Sequence, residues 1–132
     1  MPILYQKHIE FPIEKIILGK KKKTTYYLTA NLFYSGIHFA VRSNVVSQVK
    51  EYLKIHLADC PKFEQPISIS IGYQTKKKTF DLDNKAYFWS KIINDFLQNE
   101  GKLEDDNVKF IQQIHYFYRE GDSKLIFQVN SL

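Results

Sequence analysis

The sequence predicts an α+β fold, a mostly antiparallel sheet with two helices packed on it, in one domain spanning residues 1–132. Three observations predict it. Residues 66–74, PISISIGYQ, alternate strictly, with Ile67, Ile69 and Ile71 on one face and Ser68 and Ser70 on the other, the period of a half-buried strand. Two stretches switch to helical spacing: Val45, Val46, Val49, Tyr52, Leu53 and Leu57 in the first, and Trp89, Ile92, Ile93, Phe96 and Leu97 in the second. Residues 108–118 and 124–130 are rich in β-forming types around Glu120-Gly121-Asp122-Ser123, which reads as a hairpin closing the sheet.

The remaining elements follow in chain order. Residues 9–18, IEFPIEKIIL, alternate imperfectly around Pro12 and read as a first strand at an edge. Gly19 with Lys20, Lys21, Lys22 and Lys23 forms a turn, and residues 24–34, TTYYLTANLFY, continue as a second strand or an extended arm until Ser35-Gly36 interrupts them. The first helix starts with Ser43 or Asn44 as its cap and ends near Ala58 and Asp59, before a loop at Cys60-Pro61. Asp83 or Asn84 caps the second, and Asn99-Glu100-Gly101 ends it, Gly101 suiting a left-handed position after the last turn.

Composition narrows the function. A length of 132 residues suits one domain with a real core, and 44% hydrophobic with 25% charged residues is ordinary for a globular chain. Cys60 is the one cysteine, so an intramolecular disulfide and a cysteine-rich zinc site are excluded, and its thiol is expected to be inert. The start MPILYQKHIEF lacks the pattern of a signal peptide, and no apolar run is long enough for a membrane span. No membrane partner and a reducing, cytoplasmic setting are therefore expected.

The net charge of +5 is unevenly placed: residues 1–79 carry +8, residues 80–106 carry −4 and the remainder +1. A basic body around an acidic strip suits an enzyme that acts on phosphodiesters. Lysines hold the backbone, and carboxylates hold the cation that offsets its charge. The strip reads FDLDNKAYFWSKIINDFLQNEGKLEDD, with Asp81 and Asp83 at its start and Asp105-Asp106 at its end. In a strand, residues two apart point the same way, so Asp81 and Asp83 converge if the strand persists to Asp83, and Asp106 can complete the site from the following strand. Hard cations such as Mg²⁺, with Mn²⁺ as the alternative, take oxygen ligands and keep several waters, so two or three carboxylates suffice. Lys20, Lys21, Lys22, Lys23, Lys76, Lys77 and Lys78 are the candidate phosphate contacts. Phe80 is a candidate wedge between bases, weighed against plain core packing. No catalytic serine elbow, Walker loop or glycine-rich dinucleotide turn is present.

The strip resembles the RusA family of Holliday junction resolvases, small dimeric endonucleases common in phages and prophages. The resemblance lies in Asp81-Leu82-Asp83-Asn84, Lys91, Asp95-Phe96-Leu97, Gly101 and Asp105-Asp106, with Asn31-Leu32-Phe33-Tyr34 similar to the family's N-x-x-Y segment. It implies that Asp81, Asp83 and Asp106 bind Mg²⁺ and that a helix lysine assists. It further implies a homodimer that cuts opposed strands of a four-way junction, in DNA recombination and repair. The spacing from Asn84 to Lys91 exceeds the usual pattern by about four residues, roughly one helical turn. Tyr87 then stands where the lysine is expected, and Lys85 is a substitute for Lys91. Two other readings are a catalytically silent DNA-binding protein of the same fold and an assembly protein with a solvated acidic strip.

Overall fold

The computed structural model describes residues 2–10, 14–34, 36–105 and 107–132. In chain order these form β1 (Ile3–Ile9), β2 (Lys15–Leu18), β3 (Thr24–Tyr27), α1 (Asn31–Tyr34), α2 (Phe39–His56), β4 (Ile67–Gln74), α3 (Leu82–Asn99), β5 (Ile111–Arg119) and β6 (Lys124–Ser131). Four strands make one sheet in the order β1-β6-β4-β5, and β2 with β3 makes a separate ribbon. β6 is antiparallel to both β1 and β4, whereas β5 is parallel to β4. The expected α+β class, a mostly antiparallel sheet with helices packed on it, is what the chain adopts.

β4 is the axis of the sheet. Ile67, Ile69, Ile71 and Tyr73 are all buried, as their alternation predicts. α3 packs on β4 and β5, and α2 packs on α3. The helical stripe of α3 is buried in full: Trp89, Ile92, Ile93, Phe96 and Leu97 join Phe88 in the core. At about 1.5–3 kcal/mol for each large apolar side chain removed from water, this face is the main reason that α3 is held in place. Ser68 is buried too, so β4 is covered more fully than a half-buried strand. Its polar face continues outward as Gln6 bonded to Gln128 at 2.9 Å and His115 with Gln113 at 3.3 Å, so the cover there comes from neighbouring strands. Gly72 lies beside Phe117 in register, and a Cβ there would overlap the Phe117 ring.

Several boundaries differ from the sequence reading. Residues 9–18 are not one strand: Ile9 ends β1, and Lys15 begins β2 of the other sheet. Pro12 lies outside the described residues. The stretch 24–34 divides into β3 and the short helix α1, because Leu32 and Phe33 N–H groups bond back to Thr29 and Ala30 carbonyls. α2 begins at Phe39, earlier than Ser43, with His38 Nδ1 accepting from the Ala40 N–H at 3.2 Å. The helices therefore number three among the described residues, one of them a single turn.

The largest correction concerns the C-terminal strands. β5 and β6 do not form a hairpin, since β4 lies between them and Gln74 pairs with both Arg119 and Lys124. The connection 120–123 passes over the end of β4, where Gln74 Nε2 donates to the Asp122 carbonyl at 3.0 Å. Gly121 has φ 154°, and a Cβ there would press on the Gln74 amide. Turn chemistry announced a reversal, but the central strand that separates the two arms comes from far earlier in the chain. Among the described residues, no helix is long and apolar enough to cross a membrane.

Candidate functional site

The acidic strip opens α3 and does not extend a strand. Asp81 is the N-cap, with φ −90° and ψ 107°, and its Oδ1 accepts from the Asp83 N–H at 3.1 Å and, at the limit of a hydrogen bond, from the Asn84 N–H at 3.5 Å. Asp83 and Asn84 are thus inside the first turn and do not cap it. The positive end of the helix dipole favours both carboxylates there. Asp81 and Asp83 are exposed, and their shared direction comes from a helix start rather than strand alternation.

A second segment meets them. The Ala30 N–H donates to the Asn84 carbonyl at 2.9 Å, which fixes the start of α1 against the first turn of α3. Asn31, Tyr34, Asp81, Asp83, Asn84 and Tyr87 then line one open cleft of about 470 Å³. Asn31 and Tyr34, some fifty residues from the carboxylates in sequence, are the two ends of the N-x-x-Y segment.

Tyr87 stands one turn along α3 from Asp83. Its hydroxyl is 2.8 Å from that of Tyr34, and the Phe33 ring packs edge-on against it at 6.4 Å. The hydrogen bond with Tyr34 pushes the Tyr87 phenol above its ordinary value, followed by partial burial. Tyr87 therefore keeps its proton near neutral pH and can donate a hydrogen bond but not act as a base. Lys91 follows a further turn along, about 12 Å of helix rise from Asp83. Its Nζ sits 5.9 Å over the Phe33 ring and 3.9 Å from Asp95. Lys85 lies in the first turn, half-buried, with its N–H bonded to the Asp81 carbonyl at 3.2 Å.

The second acidic pair lies elsewhere. Asp106 is outside the described residues. Asp105 follows the far end of α3, about 27 Å along the helix from its start. Leu103 N–H bonds to the Leu97 carbonyl, which holds the segment before Asp105 against that end, and the Phe110 and Ile111 N–H groups bond to the Asn107 carbonyl in the turn that leads into β5. The structure thus brings Asp81 and Asp83 together and does not bring Asp105 to them. Among the described residues, no three His, Cys, Asp or Glu side chains are grouped to hold a metal ion. The cleft offers two carboxylates, the amides of Asn31 and Asn84, and the hydroxyls of Tyr34 and Tyr87, a hard-oxygen donor set of the kind Mg²⁺ accepts with waters completing its shell.

The lysine runs differ from each other. Lys20, Lys21, Lys22 and Lys23 are exposed on the turn between β2 and β3, where Gly19 has φ 120°. Lys76, Lys77 and Lys78 pair with Asp122 at 3.2 Å, Glu14 at 3.5 Å and Glu120 at 3.5 Å. The three lysines, Asp122 and Glu120 are well exposed and Glu14 is half-buried, so the Lys76 and Lys78 pairs contribute at most about 1 kcal/mol each and can be exchanged for a phosphate. Phe80 is half-buried, its ring 5.4 Å from Tyr73 and 5.8 Å from Tyr118, which engages it in packing. Cys60 is buried, and loss of water around it pushes its thiol up to about 11. Comparison with protein-family models and with curated proteins gives no match.

Tyr87 as part of the site was legible only as a displaced lysine. Asn84 and Tyr34 were legible as motif positions, but the contact between the Tyr34 and Tyr87 hydroxyls was not, because it depends on how α1 docks on α3.

Proposed function

We propose that this protein is a Mg²⁺-dependent, structure-selective DNA endonuclease that resolves four-way junctions, in the manner of the RusA-like resolvases its motifs resemble. One observation carries the proposal: the two separated pieces of the motif, Asn31 with Tyr34 and Asp81 with Asp83, line the same cleft. Asp81 and Asp83 are the carboxylates that would hold the cation, with the amide oxygens of Asn31 and Asn84 beside them. Asp106 enters as the third ligand on the resemblance alone. What Mg²⁺ supplies when bound is charge neutralisation at a phosphoryl oxygen and a lowered pKa for an attacking water.

The chain's own residues orient the strand. The Tyr34–Tyr87 hydroxyl pair has one O–H outside its mutual hydrogen bond to donate to a phosphoryl oxygen, and Lys76, Lys77 and Lys78 can leave their acids for the flanking phosphates. Lys85, in the same first turn as Asp83, is better placed than Lys91 to meet charge on the leaving oxygen, because Lys91 is a further turn and a half away and occupied with Asp95 and Phe33. Paired cuts need two such sites, hence a homodimer, working in a reducing cytoplasm.

The second reading, a silent DNA-binding protein, is favoured by one feature: Tyr87 stands where the resemblance expects lysine. The deciding assay follows a labelled four-way junction and a linear duplex with Mg²⁺ or EDTA, for the wild type, Asp83→Asn and Asp106→Asn. Paired Mg²⁺-dependent nicks on the junction, lost in Asp83→Asn, are expected. Tight junction binding with no cutting by the wild type would establish the silent binder, and no binding at all would reject both.

A further inference from the structure

The β2–β3 ribbon carries a feature that the cleavage site does not use. Cross-strand partners share a face, so Lys15 with Tyr27 and Ile17 with Thr25 form one side of the ribbon, while Ile16 and Tyr26 form the other. Ile16 is buried and Tyr26 half-buried, which docks that side on the core. The opposite side is left open, with Tyr27 60% and Ile17 54% exposed. Tyr27 thus holds its ring outward on the ribbon, beside Lys15 and on the strand that follows the four-lysine turn.

That surface is continuous with the acidic cleft. Thr25, Tyr26, Tyr27 and Thr29 line, with Asn31 and the apolar Leu32 and Ile37, a second groove of about 240 Å³ along β3, and Asn31 also lines the cleft that holds Asp81 and Asp83. One end of the ribbon reaches toward the start of α3 through a single ion pair. The Leu28 N–H donates to the Glu14 carbonyl at 2.8 Å, and the Glu14 carboxylate pairs with Lys77, four residues before Asp81. The ribbon, the groove and the start of α3 therefore form one connected surface.

The geometry points to a track for the DNA strand that runs on from the phosphodiester in the acidic cleft, past Asn31, along Thr25 and Tyr27, to the phosphates held by Lys20, Lys21, Lys22 and Lys23. This rests on the reading of the cleft as the cleavage site. Charge selects the occupant, because the only dense charge on the ribbon is the four-lysine tip and no acid lies among residues 15–30. The spacing is compatible. From Tyr27 to Thr24 the strand advances about 10 Å, which matches about three nucleotides at the duplex rise of ~3.4 Å per strand. Tyr27 offers its ring to a base or sugar, and Thr25 and Thr29 offer hydroxyls to the backbone.

The test measures binding of the full-length protein to a labelled four-way junction in EDTA, so that no cutting intervenes, at salt concentrations from about 50 to about 200 mM. Two variants are compared with the wild type: the quadruple change K20Q/K21Q/K22Q/K23Q and Tyr27→Ala, all at exposed positions and each checked by thermal unfolding. The quadruple variant is expected to reduce the slope of log affinity against log salt by about 0.9 for each phosphate that is no longer neutralised. Tyr27→Ala is expected to weaken binding about fivefold or more. In parallel, 5-iododeoxyuridine is placed at successive positions from the exchange point, and irradiation is expected to link one of them to Tyr27. Variants that bind with unchanged slope and affinity, or crosslinks that avoid residues 24–27, would overturn the track even if the wild type cuts. Ribbon-dependent binding by a protein that never cuts would leave the track standing and remove the cleavage reading. Absence of any junction binding by the wild type overturns both.

Discussion

At Asp81 the backbone and the proposed chemistry draw on one carboxylate. Oδ1 takes the two N–H groups of the first α3 turn, and the second oxygen is the one a cation would use. The two roles separate on substitution. Asp81→Asn keeps an oxygen acceptor for the cap but loses the charge, so its stability should fall only by a few tenths of a kcal/mol up to about 1. Asp81→Ala removes the cap as well and should cost more, about 1–2 kcal/mol in total. Both should lose Mg²⁺-dependent junction cleavage. Urea unfolding read beside the cleavage assay distinguishes them. Full cleavage by Asp81→Asn would remove this carboxylate from the metal site, and equal instability of the two variants would show that the cap depends on charge.

Among the elements, the outer edge β1 is clasped to β6 and to the end of α2. Tyr5 donates to Asp59 at 2.7 Å and Lys7 pairs with the same carboxylate at 3.2 Å, and the Tyr5 contact, then that of Lys7, holds the Asp59 carboxyl below its usual range. Farther along, the Lys124 ammonium donates to His8 Nδ1 at 3.0 Å, which requires the imidazole to be neutral. Loss of water, then the charges of Lys124 and Arg119, lower the His8 pKa from 6.5, opposed by Glu10. The sign follows from linkage. Below about pH 6.5 the unfolded chain takes up a proton that folded His8 resists, so stability falls as pH drops toward the folded pKa and levels off beneath it. Denaturation midpoints at pH 7 and about pH 5.5 should therefore differ more for the wild type than for His8→Gln. Equal differences would mean that His8 titrates alike in both states.

For the whole molecule, charge and symmetry matter more than any one contact. The first three fifths of the chain is basic and the segment that opens α3 is acidic, the charge arrangement that the proposed endonuclease would use to attract a polyanion around a carboxylate-held cation. Two opposed cuts at a junction require two clefts. The proposed endonuclease should therefore sediment as a dimer of about twice 15.6 kDa at micromolar concentration. A monomeric mass both free and on the junction would exclude paired cutting by a symmetric dimer and leave, at most, single nicks.

Local physical chemistry determined much of this protein. Side chains two apart or three and four apart announced β4, α2 and α3, because burial of Ile67, Ile69 and Ile71, and of Trp89, Ile92 and Phe96, needs only the periodicity of a strand or helix. The carboxylate pair at the start of α3 was equally legible, although strand alternation was the wrong reason for its convergence. Tertiary structure decided the rest. β1 is an edge strand with few buried residues, so its pattern was faint. β4 separates β5 from β6, which no turn residue could report. The meeting of Asn31 and Tyr34 with Asp81 and Asp83 depends on the backbone hydrogen bond from Ala30 to Asn84, the Tyr34–Tyr87 hydroxyl contact and the aromatic contacts of Phe33. Periodicity reads what a residue does with its own neighbours. Which distant surfaces it will bury against, or which cleft it will line, follows only when the core has closed and fixed their distance.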